Sequence, residues 1–182
     1  MKLRLERLIA AALDDRIVRF YENHDGHLRY FSGSGRSFSR DDLIQDIERG
    51  EERGDLFYYA FMVDDKPIGT VKIGPIDRRN LTSDLVTLIG DRDYLGRGLG
   101  AEAVRLGTAL AFDELGLRRL HSGVYEANQA SVRAYVKGGW FVEARMRGFY
   151  LVDGKPMDRI AIACLNPRFF PDAPPIDEEA SS

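Results

Sequence analysis

The sequence predicts a mixed α/β domain, and three observations predict it. Apolar, strand-like segments alternate along the chain with amphipathic helical ones, in the order strand, helices, three strands, helix, strand, helix, two strands. In the middle, "RDYLGRGLGAEA" (Arg92–Ala103) runs from a strand through alternating glycines into a helix. Hydrophobic residues make up 44% of 182 positions, enough for one sizeable core, and no internal repeat or long Pro/Gly/Ser linker divides the chain. A single domain over 1–170 is expected, followed by a mobile acidic tail, 171–182, rich in Pro and poor in anything to bury.

Each element has its own reason. "MKLRLERLIAAALDD" starts positive, but its apolar stretch is short and acids soon follow, so it reads as part of the fold and not as a signal peptide. Ser39 with Asp42 three residues on is an N-cap pair, and Leu43, Ile44 and Ile47 give the following helix an apolar face to about Arg49. "LFYYAFMV" (Leu56–Val63) and "IGTVKIG" (Ile68–Gly74) flank the breaker "DDKP" and read as a hairpin. "DLVTLIG" (Asp84–Gly90) is apolar enough for a central strand. Ala101–Gly116 reads as helix, with Ala103, Leu106, Leu110 and Leu117 on one side. Leu120–Tyr125 is a strand, and "QASVRAYVKGG" is a short helix closed by glycine. The rest is a hairpin turning at Asp153-Gly154, a dipeptide that favours tight turns.

Composition excludes several partners. A net charge of −3 and a pI near 5.7 offer no basic surface for nucleic acid. No apolar run approaches the roughly 18 residues of a membrane span. A lone cysteine, Cys164, forms no internal disulfide, which suits a reducing, cytoplasmic setting; in its apolar strand it reads as an inert buried thiol. "HDGH" (His24–His27) lacks a third ligand nearby, so a polar turn is expected there and no metal.

The glycines at 96, 98 and 100 have the makings of an anion site. A strand delivers the chain to a turn, and the turn opens a helix whose first N–H groups lack internal partners and carry partial positive charge. Arg97 adds a fork of donors. The Walker phosphate loop is absent, because no Lys follows the glycines. A dinucleotide fingerprint is matched literally by Gly96, Gly98 and Ala101, and an NAD(P) oxidoreductase would follow from it. Its second strand would have to be "TALAFDE", leaving about nine residues for the crossover helix, which is too short.

The stretch Asp84–Trp140 resembles the GNAT N-acetyltransferase superfamily, in particular its branch that acetylates ribosomal-protein alanines and amino sugars. "YLGRGLGAEAV" is similar to its pyrophosphate loop [QR]-x-x-G-x-[GA], with Gly98 and Gly100 matched and Leu95 in place of Gln or Arg. "NQASVRAYVKGGW" is similar to its second motif, on Asn128, Ser131, Tyr135, Gly139 and Trp140, and "DGKPMD" to a hairpin of the same branch. The resemblance spans roughly residues 55–165 and implies a twisted mixed sheet, flanked by helices, whose central parallel strands splay apart around acetyl-CoA. It implies that Leu95, Gly96, Arg97, Gly98, Leu99, Gly100 and Ala101 receive the pyrophosphate, and that the backbone of Leu88, Ile89 and Gly90 pairs with the pantetheine arm. Asn128 and Ser131 would hold that arm too, although Asn128 also suits the cap of its own helix.

Direct transfer to an amine requires that the ammonium lose a proton and the departing thiolate gain one. The resemblance implies Tyr135 as the acid and Asp84 as the base; Glu126 or a chain of waters are the other candidates for base. His121 reads as structural, and Trp140 as core. Arg78 and Arg79 are surface charge or a seat for the adenosine 3′-phosphate or an acidic acceptor. The acceptor is a small molecule, an amino sugar or a protein N-terminus, and the loop "ENHDGHLRYFSGSGRSFSR" is placed to shape its pocket. The C-terminal hairpin is of a kind that can pair across a homodimer. A binding module that senses acyl-CoA without turnover is the other reading, since fold alone does not secure activity.

Overall fold

The computed structural model describes residues 1–23, 26–31 and 37–172. Seven strands form one twisted sheet: β1 (Leu3–Arg7), β2 (Phe57–Val63), β3 (Lys66–Asp77), β4 (Thr82–Ile89), β5 (Arg119–Tyr125), β6 (Phe141–Val152) and β7 (Lys155–Leu165). Their order in space is β1-β2-β3-β4-β5-β7-β6. Among the described residues four α-helices accompany them: α1 (Asp15–Tyr21), α2 (Arg40–Arg53), α3 (Leu99–Asp113) and α4 (Gln129–Lys137).

The hydrophobic pattern explains the layers. β2 and β3 are apolar on both sides because both faces of the sheet are covered. One face packs Phe61, Val71, Ile73 and Leu85 against Val104, Ala111 and Trp140 from and beside α3 and α4. Tyr58, Ala60 and Met62 point to the other face, where they meet Ile17, Phe20 and Tyr21 of α1 and Leu43 and Ile47 of α2. Trp140 is fully buried, and its indole N–H donates to Thr108 Oγ1 at 2.9 Å. Ser39 and Asp42 form the expected capping box, and Gly54 ends α2 in the left-handed region. Asp153 and Gly154 both take positive φ, as the tight turn between β6 and β7 demands.

The feature that positions the site is the β4–β5 pair. It is the parallel pair in the sheet, and its register runs only from Thr82↔Arg119 to Asp84↔His121. Beyond Asp84 the strands part. β4 stays paired with β3 as far as Ile89, so its other edge opens into a gap. The expected splay between central parallel strands is therefore present, and Asp84 stands on its last rung.

Helix boundaries differ modestly from the sequence pattern. α3 begins at Leu99, two residues before the expected start, because Gly98 itself serves as N-cap. It ends at Asp113, and Gly116 takes a positive φ just beyond. The expected tail and the His24 end of "HDGH" lie outside the described residues, apart from Pro171 and Asp172.

Candidate active site

Two cavities flank β4. A cleft of about 470 Å³ runs along the β4–β5 gap to the glycine turn and α4. A second cavity of about 400 Å³ lies on the opposite face, between β3, β4, α1 and α2. Val86 and Phe31 line both, so the two approach one another at the gap.

The first cleft is built from backbone. Gly96 and Gly98 take φ of 72° and 78°, values that an L side chain adopts only with strain. A Cβ on either would meet nothing within 4 Å, so the space beside them is open. Gly98 caps α3 without any side-chain acceptor on the first N–H groups; the Ala101 N–H donates to the Gly98 carbonyl at 3.1 Å, and the N–H groups of Leu99 and Gly100 before it are open to an anion. Leu95 is 56% exposed at the mouth, and the Arg97 guanidinium lies 5.3 Å from the Tyr94 ring. Leu99 is buried and anchors the helix start. Gly100 has a second role: a Cβ there would touch the Ala134 Cβ at 3.4 Å, so its smallness lets α3 approach α4. Ala101 lines the cleft beside it.

The expectation for the arm needs correcting at two positions. The Gly90 N–H already donates to the Ile68 carbonyl at 2.9 Å, so it faces β3. Main-chain polar groups alternate sides along a strand, so Leu88 faces β3 with it, whereas Leu85, Thr87 and Ile89 face the gap. Of the three residues expected to pair with pantetheine, only Ile89 points its backbone at the cleft; Thr87 joins it. Gly90 is glycine for another reason: a Cβ would overlap the Phe20 ring of α1.

Tyr135 is buried, and its hydroxyl reaches across the gap to donate to the Leu85 carbonyl at 2.7 Å. The ring packs edge-on against Trp140, centroids 4.9 Å apart. Burial, with the nearby Asp84 charge, pushes the phenol above its ordinary range, so it keeps its proton at any physiological pH. Asn128 caps α4 by accepting from the Ser131 N–H at 3.2 Å, as the simpler reading had it, and both residues also line the cleft.

Asp84 lines the second cavity. Its Oδ1 is buried and has no hydrogen-bond partner. Burial raises the carboxyl above the ordinary aspartate value, against the opposing pull of the Ser122 hydroxyl, His121, the Leu85 N–H and Arg159. A carboxylate with a raised pKa is a better proton acceptor. Asp46 and Asp42 line the same cavity, with Lys72 bonded to Asp46 at 3.2 Å and Arg49 nearby. Tyr58 donates its hydroxyl to Asp46 as well.

Other candidates are placed elsewhere. Glu126 is paired with Arg145, which leaves it poorly suited as a base. Arg78 bonds the Gly54 carbonyl, and neither it nor Arg79 lines either cavity. Cys164 is half-buried, its thiol pushed up to about 11 by burial, which suits the expected inert role. Among the described residues no three His, Cys, Asp or Glu side chains gather as metal ligands, and no helix is long and apolar enough to cross a membrane.

Sequence reasoning missed one cluster. Tyr125 and Tyr150 stack at 3.8 Å, and Tyr30 of the front loop joins them at 5.6 Å. Beside them the Arg159 guanidinium lies over Gly123, where a Cβ would overlap its Nε, and that Nε is buried without a partner. Arg159 faces Tyr125 in register across β5 and β7. The signal for this cluster is weak in sequence, because its members come from segments far apart.

Comparison with known proteins agrees with this geometry. The family model described as an acetyltransferase (GNAT) domain matches residues 2–140. A Bacillus subtilis protein named "Probable N-acetyltransferase YjcK" is 31% identical over 140 residues, covering 76% of this chain and 75% of the relative. Among solved structures, the Vibrio cholerae spermidine N-acetyltransferase in complex with CoA and spermine is similar with a TM-score of 0.78 at 16% identity, covering 92% of this chain and 98% of that one. The ribosomal-protein-S5-alanine acetyltransferase of Vibrio fischeri gives 0.74 at 20% identity, covering 91% and 94%. A glycine-capped anion cleft, a splayed parallel pair and this family match together establish an acyltransferase that uses acetyl-CoA: the chain belongs to the GNAT acetyltransferase family.

Proposed function

We propose that the chain transfers acetyl directly from acetyl-CoA to the primary amine of a small cationic acceptor seated beside Asp84. The observation that carries this reading is the buried, unpartnered Asp84 Oδ1 on the last rung before the splay. A buried acceptor atom without a donor is costly, and an incoming ammonium supplies the missing donor. The cavity around it holds three carboxylates, on Asp42, Asp46 and Asp84, against two cations. That balance favours a cationic guest, and a volume of about 400 Å³ suits a small one.

In the proposed step Asp84 takes a proton from the ammonium. The freed amine attacks the thioester carbonyl, a C–N bond forms and the C–S bond breaks. Tyr135, held at the gap by the Leu85 carbonyl, gives its proton to the departing sulfur, and the second proton shed by the new amide nitrogen restores the phenol, so that amide, CoA thiol and protonated Asp84 result. The glycine turn holds the pyrophosphate, Thr87 and Ile89 the arm, and Asn128 its flank, whereas Arg97 stands over Tyr94 outside the cleft lining.

The test is an acceptor panel with acetyl-CoA, read by release of free CoA thiol. Small polyamines, amino sugars and alanine-terminated peptides are compared at matched concentration. The expected result is turnover of small cationic amines ahead of peptides, lost in Asp84→Asn. Preference for peptides would place this chain nearer in function to the ribosomal-protein enzyme that it resembles in fold. CoA binding without turnover of any amine would support the non-catalytic sensor.

A further inference from the structure

The donor cleft continues past the glycine turn onto the flank of α4, and two unengaged cations stand there. Arg133 and Lys137 lie one helical turn apart, both exposed and both lining the cleft. Among the described residues neither takes part in a hydrogen bond, an ion pair or a ring contact. The neighbouring cations are otherwise occupied: Lys66 pairs with Asp91 at 2.7 Å, Arg105 with Glu102 at 2.5 Å, and Arg97 sits over Tyr94.

The placement is specific. Residues four apart on a helix have their Cβ atoms about 5–6 Å apart, so the two long side chains can converge on one anion. Two like charges at that spacing repel when nothing lies between them, and the first turn of α4 offers no acid to relieve them. Ala134, between the two, is the residue that meets Gly100 at the start of α3. The cations therefore flank the point where α4 touches the phosphate turn.

Coenzyme A carries a phosphate that this turn does not account for. Its pyrophosphate has the N–H groups after Gly98. Its ribose bears a separate 3′-phosphate monoester, more highly charged and exposed. We propose that Arg133 and Lys137 form the seat of this 3′-phosphate, so that the protein distinguishes CoA from 3′-dephospho-CoA. The inference rests on acetyl-CoA as donor and goes beyond it. It also replaces the seat that the sequence suggested: Arg78 is bonded to the Gly54 carbonyl, away from the donor cleft.

The experiment is calorimetric titration of CoA and 3′-dephospho-CoA into the wild type, the double variant Arg133→Ala/Lys137→Ala, and Gly98→Val. Both cations are exposed on a helix that tolerates alanine, so the double variant keeps the fold. The wild type is expected to prefer CoA by about tenfold or more, from charge-assisted contacts that weaken as salt rises. In the double variant that ratio falls toward one, while affinity for 3′-dephospho-CoA stays at the wild-type value. Gly98→Val weakens both ligands alike and keeps the ratio. A double variant with the wild-type ratio overturns the proposal. So does equal weakening of both ligands, which would assign the two cations to the pyrophosphate. A wild type that binds neither ligand overturns the donor reading itself, a distinct outcome.

Discussion

The two cavities beside β4 are built in opposite ways. The donor cleft is mostly backbone: a glycine-capped helix start, a splayed strand edge, and one tyrosine reaching across the gap. The acceptor cavity is mostly side chain, assembled from α1, α2, β3 and β4, with its polar groups tied to one another through Asp46, Tyr58 and Lys72. In the proposed assignment backbone recognises what every reaction shares, the CoA, and side chains recognise what varies, the amine. A substitution should therefore harm one half and spare the other, and the cases that fail to do so break the comparison.

Asp84→Asn should have the largest effect on the acceptor half. Loss of the base lowers kcat/KM by about 10²–10⁴-fold, while calorimetric affinity for acetyl-CoA is unchanged. The same change should stabilise the protein. The folded carboxyl has a pKa above its unfolded value, so the folded state binds more protons between the two, and stability falls as pH rises through that window. Asparagine removes this loss, and thermal denaturation at pH 7 should show a higher Tm than wild type, with the gain vanishing at acid pH. Equal stability at pH 7 would mean that the carboxyl is better satisfied than its geometry indicates.

Tyr135→Phe comes next. It removes the hydrogen bond to Leu85 and the donor to the leaving sulfur, and kcat should fall by roughly a hundredfold with little change in the acceptor KM. An unchanged kcat would make Tyr135 a packing residue of the donor half.

Gly90→Ala sharpens the boundary between halves. Its Cβ would press on Phe20, next to Tyr21 in the acceptor wall, so the acceptor KM should rise and stability should drop by about 1–3 kcal/mol. CoA affinity should hold, whereas a residue pairing with the arm would lose it. Gly98→Val is the smallest of the four. A branched side chain at φ 78° strains the helix cap and crowds the phosphate, for about a tenfold loss in CoA affinity, or about 1.4 kcal/mol.

The same contrast explains what could be read from the sequence. The order of elements along the chain, the Ser39–Asp42 box and the Asp153-Gly154 turn follow from rules spanning a few residues, and they are where expected, whereas the Gly98 cap starts α3 two residues before the expected position. Tyr135 and Asp84 are legible only through the resemblance to the GNAT family, and no periodicity or spacing in the chain singles them out. Gly90 misled, because its need for smallness comes from Phe20, seventy residues earlier in the chain. The Tyr30–Tyr125–Tyr150 stack and the Arg159 guanidinium over Gly123 were hidden for the same reason: their partners meet only when the sheet is assembled. Local chemistry is legible one segment at a time, and side-chain cavities are not.

The most direct test of the two-cavity account is the pH dependence of kcat/KM for wild type and Asp84→Asn, measured beside acetyl-CoA affinity over the same range. The account predicts that wild-type activity falls on the acid side as a single carboxyl protonates, with a midpoint above the ordinary aspartate value. In Asp84→Asn that limb disappears with most of the activity, while acetyl-CoA affinity stays flat in both proteins. An Asp84→Asn enzyme that keeps the wild-type rate and the same acid limb would contradict it, and the base would have to be sought outside the acceptor cavity.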